Sequence, residues 1–238
     1  MIRFCFLMCV LVFLSPAYAQ DPVRDKFIGD LKFVDPNCES QGECELAEDF
    51  AYQDPYQYTW QSDKGDKTDG ASIPPFLWGA QIGDINIGFP FDDDLIKAAV
   101  IHDHYCNRKV RSWWKTHRVF YHALLKSGVS QAKAKIMFSG VLAGGPKWFR
   151  QIEGKSCDLG ANCINGQSLE ITMVEKGVND TAEAQARFES LAYEVLNNPE
   201  ISLSELYAFH QEKYPDDPFL AIGDRFEIET GINAPITE

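Results

Sequence analysis

The chain has 238 residues, 45% of them hydrophobic, with 35 acidic against 22 basic side chains and a formal net charge of −13 at pH 7. A surface of that sign repels phosphate backbones and anionic lipid headgroups, so nucleic acid is excluded as a partner. The length fits one domain with an appendage, or two small domains.

The chain opens "MIRFCFLMCVLVFLSPAYAQ". Arg3, an apolar run from Phe4 to Leu14 and the Ala17-Tyr18-Ala19 end predict a signal peptide over residues 1–19, cut before Gln20. That run is shorter than the roughly 20 residues needed to span a bilayer, and no later segment qualifies, so no transmembrane segment is expected in the mature protein. The expected location is exported, periplasmic or extracellular. Cleavage removes only Arg3 among charged residues, which leaves 21 basic against 35 acidic side chains and a net charge of −14.

Cys38 and Cys44 in "CESQGEC", and Cys157 and Cys163 in "CDLGANC", lie in Gly-, Asn- and Ser-rich loops. In an exported chain such pairs predict two local disulfides, and their spacing lacks the two-residue gap of a zinc knuckle. Cys106 is left unpaired.

In chain order, residues 26–35 ("KFIGDLKFVD") predict a strand, and "YQYTWQS" from Tyr56 to Ser62 alternates as a half-buried strand does. "SDKGDKTDG" is turn material. From Asp92, three acids suit a helix N-terminus and "LIKAAVIHDHYC" continues as an apolar helix. Residues 111–128 place Trp114, His117, Tyr121 and Leu124/Leu125 on one side of a second helix, with Gly128 at its end. A third helix starts behind Ser130 and runs to the Gly144-Gly145-Pro146 breaker. "SLEITMVE" reads as a strand, and residues 180–198 and 202–214 as two amphipathic helices. The fold class is α+β, with an antiparallel helical core, a small strand-rich N-terminal layer and a helical C-terminal extension. Residues 20–153 would form the main domain, and 154–238 a disulfide loop plus that extension.

The chemistry concentrates on the first two helices. Residues i and i+4 share a helix face, so His102 and Cys106 lie together with Asp103 beside them, while His104 points away. An antiparallel return across "NRKVRS" brings His117 opposite His102. Such groups, once buried, must satisfy one another, hold an ion or do chemistry. His122 and His210 sit on amphipathic helices as rim residues, and Trp113, Trp114 and Trp148 read as packing. In "TDGASIP", Gly70 allows a close turn and Pro74 and Pro75 stiffen its exit. Either the Asp69 side chain closes an Asx-type turn, or the loop delivers Asp69 or Ser72 to the mouth of the His102 site. A Ser72-His102-Asp103 triad is disfavoured, because adjacent His and Asp on one helix orient poorly as base and orienter.

These two motifs resemble a phage and bacterial family of unknown function, DUF1353. The matching residues are Thr68-Asp69-Gly70-Ala71-Ser72-Ile73-Pro74, Trp78, Ala98-Ala99-Val100, His102-Asp103, Phe120, Ala123-Leu124 and Gly128, over about residues 55–148. The family implies no settled activity. Its HD-x-x-Y helix, with an acid on the next helix, is similar to secreted phospholipase A2, where a His activates water, an Asp binds calcium and a distant Asp orients the His. The glycine-rich calcium loop and dense disulfides of those lipases are absent here. Cys106 stands where the family pattern has Tyr, and His117 where it has an acid. The resulting set of His102, Cys106 and His117, with Asp103 as fourth ligand or outer partner, suits zinc better than calcium.

The functional expectation is a hydrolase acting on an envelope component, lipid or peptidoglycan. His102, Asp103, Asp69 and Ser72 would be its catalytic candidates. The alternative is a non-catalytic envelope or phage-derived adaptor in which the same buried groups pin two helices together.

Overall fold

The structure, a computed structural model, describes residues 25–71, 73, 77–156, 167–177 and 181–230. The expected signal peptide, Ser72, Pro74, Pro75 and the Cys157/Cys163 pair lie outside the described residues.

The N-terminal layer contains β1 (Lys26–Ile28), β2 (Cys44–Glu45), β3 (Phe50–Gln53), β4 (Thr59–Ser62) and β5 (Lys67–Thr68). The order β1-β3-β4 makes an antiparallel sheet, and β2 pairs antiparallel with β5. The expected strand over 26–35 stops at Ile28, because Gly29 turns the chain with a φ of 84°. The strand expected from Tyr56 starts only at Thr59. Its cause is Asp54, whose carboxylate accepts the backbone N–H groups of Tyr56 and Tyr58 at 2.8 and 2.9 Å and holds a turn there. Cys38 and Cys44 form the expected disulfide. Cys44 is the register partner of Thr68, so the crosslink anchors the strand beside the TDGAS loop.

A hairpin of β6 (Gln81–Ile82) and β7 (Ile85–Asn86) precedes the helices. These are α1 (Ile96–Arg108), α2 (Trp113–Lys126) and α3 (Gln131–Gly144). Asp92 to Asp94 stay in turns ahead of α1 rather than in its first turn, since the Asp92 carboxylate is engaged by the Phe89 N–H at 2.9 Å. Ser112 and Ser130 cap α2 and α3 by accepting from the N–H groups of Lys115 and Lys133. Gly128 follows the α2 C-cap with a φ of 94°.

Beyond Pro146 the chain forms β8 (Lys147–Ser156), a strand the sequence did not announce, then β9 (Gln167–Lys176). Helices α4 (Ala182–Asn197), α5 (Leu203–Lys213) and α6 (Pro218–Ile222) follow, and β10 (Glu227–Thr230) closes the described chain. The sheet order is β10-β8-β9, with β10 parallel to β8 and β9 antiparallel to it. β8 therefore runs across position 153/154, and Phe188, Leu191, Val195, Leu206 and Leu220 share one buried cluster with Trp60, Ala99, Phe120 and Phe138. The C-terminal helices complete the core. The class is α+β, as expected. Among the described residues, no helix is long and apolar enough to cross a membrane.

Candidate functional site

α1 buries nearly all of its middle turns, with His102 toward α2, Cys106 four residues on beside it, and Asp103 toward the Thr68 turn. His102 is 1% exposed and His117, on the facing helix, is fully covered. Lys109 closes α1 in the left-handed conformation, with its N–H donating to the Tyr105 carbonyl, and this tight stop turns the chain back into α2. The return brings His102 Nε2 to 2.9 Å from His117 Nδ1. Cys106 Sγ lies 3.5 Å from His102 Nε2 and 3.8 Å from its Nδ1. One ligand atom from each of His102, Cys106 and His117 falls within 4.8 Å of the others.

Zinc bonds of about 2.0–2.1 Å to nitrogen and about 2.3 Å to sulfur set tetrahedral N···N and N···S edges of roughly 3.3 and 3.6 Å. The His102 Nε2···Cys106 Sγ edge, at 3.5 Å, matches, whereas His102 Nε2···His117 Nδ1, at 2.9 Å, is shorter and is the length of a hydrogen bond between the two imidazoles. Two imidazoles and a thiol are also a soft-to-borderline donor set, suited to zinc rather than to calcium, which takes oxygen ligands. Asp103 meets the other side of the centre: its Oδ1 lies 3.7 Å from His102 Nδ1. That separation is beyond hydrogen-bond length, so Asp103 is an electrostatic neighbour of the His102 ring.

Burial, reinforced by the charges of His102 and Lys147, pushes the His117 imidazole well below its usual range and keeps it neutral. Its Nε2 is buried against the Gly145–Pro146 turn without a hydrogen bond of good geometry. Burial and the Asp103 charge push the Cys106 thiol well up. A metal-free Cys106 is thus a poor nucleophile, and only a cation at the site would favour its thiolate.

The TDGAS loop meets this centre through Thr68. Its hydroxyl donates to Asp103 Oδ2 at 2.5 Å and accepts from the Gly70 N–H at 3.1 Å. The turn is therefore closed by Thr68, a role the sequence reading had offered to Asp69. Gly70 has a φ of 88°, and a Cβ there would come within 2.7 Å of Pro90, to whose carbonyl the Ala71 N–H donates at 2.8 Å. Glycine is required on both counts. Asp69 is left to face a cavity of about 420 Å³ that is also lined by Thr68, Asp103, Cys106 and Asn107, with Glu43, Lys67, Lys109 and Glu175 at its margin. Burial, then the Asp103 charge, raises the Asp69 carboxyl above its ordinary value. Lys67 pairs with Glu43 at 2.6 Å, and Lys109 pairs with Glu175.

Other titratable residues fall elsewhere. His104 turns away from the centre to bond Asp66 at 2.5 Å, as its helical position predicts. His122 is half-buried, with its ring against Tyr56 and Tyr121. His210, expected at a rim, is 1% exposed, and both ring nitrogens lack partners. It shares the inner face of α5 with Leu206, four residues earlier, and that spacing was the signal available for its burial. Burial, with the charges of Lys147 and Arg187, holds it down at about 3. Lys147 also escaped the sequence reading. It is 1% exposed, lies 5.5 Å from the Trp113 ring centre, and is brought down to about 7 by burial. Trp113, Trp114 and Trp148 are packing residues, as expected.

Residues 44–141 match the model of a family described as "Protein of unknown function (DUF1353)". The uncharacterized protein y4iH of Sinorhizobium fredii (strain NBRC 101917 / NGR234) is 36% identical over 197 residues, covering 81% of this chain and 80% of that protein. The uncharacterized protein y4jT of the same organism is 36% identical over 139 residues, covering 56% of this chain and 40% of its own length. No solved structure matches the chain.

Proposed function

This chain belongs to the DUF1353 family, and from that premise and the site geometry we propose that it is an exported, zinc-dependent hydrolase acting on a component of the cell envelope. The observation that carries the reading is the grouping of His102, Cys106 and His117, buried behind a cavity that Cys106 lines together with two carboxylates, Asp69 and Asp103.

In this reading His102 Nε2, His117 Nδ1 and Cys106 Sγ would hold the ion, the three-ligand donor set usual for a catalytic zinc. A bound zinc supplies Lewis-acid polarisation and a nucleophile at neutral pH. Asp103, held by the Thr68 hydroxyl, stands 3.7 Å from His102 Nδ1 and would act on it as an outer carboxylate partner. Asp69, whose carboxyl is raised above its ordinary value by burial and the Asp103 charge and which lines the cavity, would be the proton donor to the leaving group. Ser72 as nucleophile rests on the sequence alone, and the metal reading does not need it.

The test is to assay mature wild type, His102→Ala and Asp103→Asn on ester, phosphoester, amide and cell-wall substrates. Folded variants should lose about 10²-fold or more in rate. Variants equal to wild type on every substrate cleaved, or no cleavage of any substrate, would defeat the proposal.

A second reading is favoured by the 2.9 Å contact between two fully enclosed imidazoles: a structural pin between α1 and α2 in a non-catalytic adaptor. It predicts that His102→Ala costs about 1–3 kcal/mol with or without metal, because His117 Nδ1 is left buried without a partner.

A further inference from the structure

Asp69 lines two cavities. Besides the one described above, it borders a second of about 800 Å³, bounded by the Glu39–Gly42 turn and by Trp78, Phe89, Phe91 and Asp92. Asp69 is the residue that the two linings have in common.

Its wall is unusual for this molecule. Trp78 and Phe89 are 49% and 56% exposed, whereas Trp60, Trp113, Trp114 and Trp148 are all buried. The Trp78 ring is held by a hydrogen bond, and the backbone between it and Phe89 is tied across the hairpin. Trp78 Nε1 donates to the Ile73 carbonyl at 2.8 Å, and the Gly79 N–H donates to the Gly88 carbonyl at 2.9 Å. The tip of the Phe89 ring stands 3.1 Å from where a Cβ on Gly79 would lie, so glycine leaves room for the ring beside Trp78. The opposite wall is polar, with Glu39, Ser40 and Gln41. Exposed aromatic rings rimmed by polar groups mark a binding surface rather than failed packing.

Charge and volume select the occupant. Glu39, Asp69 and Asp92 line this cavity without a basic residue, and the chain carries a net charge of −13, so a polyanion is repelled. An acyl chain needs a long apolar slot, but the apolar void among Ile73, Leu77, Phe120 and Met137 holds only about 10 Å³. A neutral sugar chain meets both conditions. The C–H faces of its pyranose rings pack on aromatic planes, and its hydroxyl edges donate to carboxylates and amides.

We propose that the groove from Trp78 and Phe89 to Asp69 binds a neutral glycan strand and feeds it to the zinc centre. Delivery to that centre rests on the hydrolase reading; glycan binding does not. On this basis the envelope component is the cell-wall polysaccharide rather than the lipid.

The full mature chain is titrated with a soluble tetramer of β-1,4-linked N-acetylglucosamine, with tryptophan fluorescence and calorimetry as readouts. Purified cell-wall sacculi and phosphatidylcholine vesicles form separate arms. Wild type should bind the tetramer and the sacculi saturably, and Trp78→Ala and Phe89→Ala should each weaken binding roughly tenfold at unchanged Tm. Trp78→Phe should recover part of the loss. Chelator-treated protein should bind as wild type does, so a failed hydrolase reading would leave this result standing. Binding to vesicles alone, to neither glycan probe, or with equal strength in the Trp78 and Phe89 variants would overturn the proposal.

Discussion

His102 Nε2 and His117 Nδ1 face each other at 2.9 Å across the α1–α2 interface, with Cys106 Sγ 3.5 Å from the same His102 nitrogen. Three ligand-type groups therefore sit in one enclosed corner, and their neighbours decide what they can do. Asp103 backs His102, Thr68 holds Asp103, and Gly70 lets the Thr68 turn press against Pro90.

Gly70→Ala should be severely disruptive. The residue has a left-handed φ, and its new Cβ would meet Pro90 backbone and side chain at 2.7–2.8 Å. A loss of about 2–4 kcal/mol, read by urea denaturation, is expected. A variant within about 0.5 kcal/mol of wild type would show that the loop is not seated as described.

Thr68→Val removes the hydroxyl that joins Asp103 to the Gly70 N–H while keeping the shape of the side chain. It should cost about 1–3 kcal/mol and weaken metal retention, because Asp103 loses the group that orients it. Thr68→Ser should restore most of both. Equal effects of Val and Ser would point to packing instead of the hydroxyl.

Asp69 has a folded-state pKa above its unfolded value, because burial and the Asp103 charge disfavour its ionised form. Its contribution to stability is therefore fully present below the unfolded pKa and is lost as pH rises through the folded one. Asp69→Asn should accordingly leave stability at pH 7 unchanged or slightly raised while removing activity, and wild-type rates should fall as pH rises through the Asp69 titration. A destabilised Asn variant with normal turnover would contradict both assignments.

Lys147 gives a second pH signature. Burial holds it at about 7 against an ordinary 10.5, so between those values the unfolded chain binds the extra proton and stability rises with pH. Lys147→Met should flatten that rise and stabilise the protein at pH 7 by about 1–2 kcal/mol, as uncharged packing beside Trp113 replaces a poorly bonded ammonium. Thermal melts from pH 6 to 9 measure it, and an unchanged slope would count against a buried charge.

The meeting of α1 and α2 is legible in the sequence because the four-residue spacing of His102 and Cys106 and the short return to His117 leave few alternatives. The α+β class, the Ser130 and Ser202 helix starts and the Cys38–Cys44 disulfide rest on equally local chemistry. β8 is not legible. It pairs along its whole length with the next strand, β9, but its sequence lacks a clean alternation, and its second partner, β10, lies far along the chain. Thr68 as the holder of Asp103 depends in the same way on a contact between distant segments. Lys147 is hidden because lysine is ordinarily a surface residue, and its enclosure beside Trp113 of α2 depends on packing between distant segments.

Elemental analysis of purified mature protein, beside His117→Ala, tests the central claim most directly. The account predicts stoichiometric zinc in wild type, its loss in the variant, and a fall of several degrees in Tm when a chelator strips the metal. Metal-free wild type whose Tm does not respond to added zinc would contradict it.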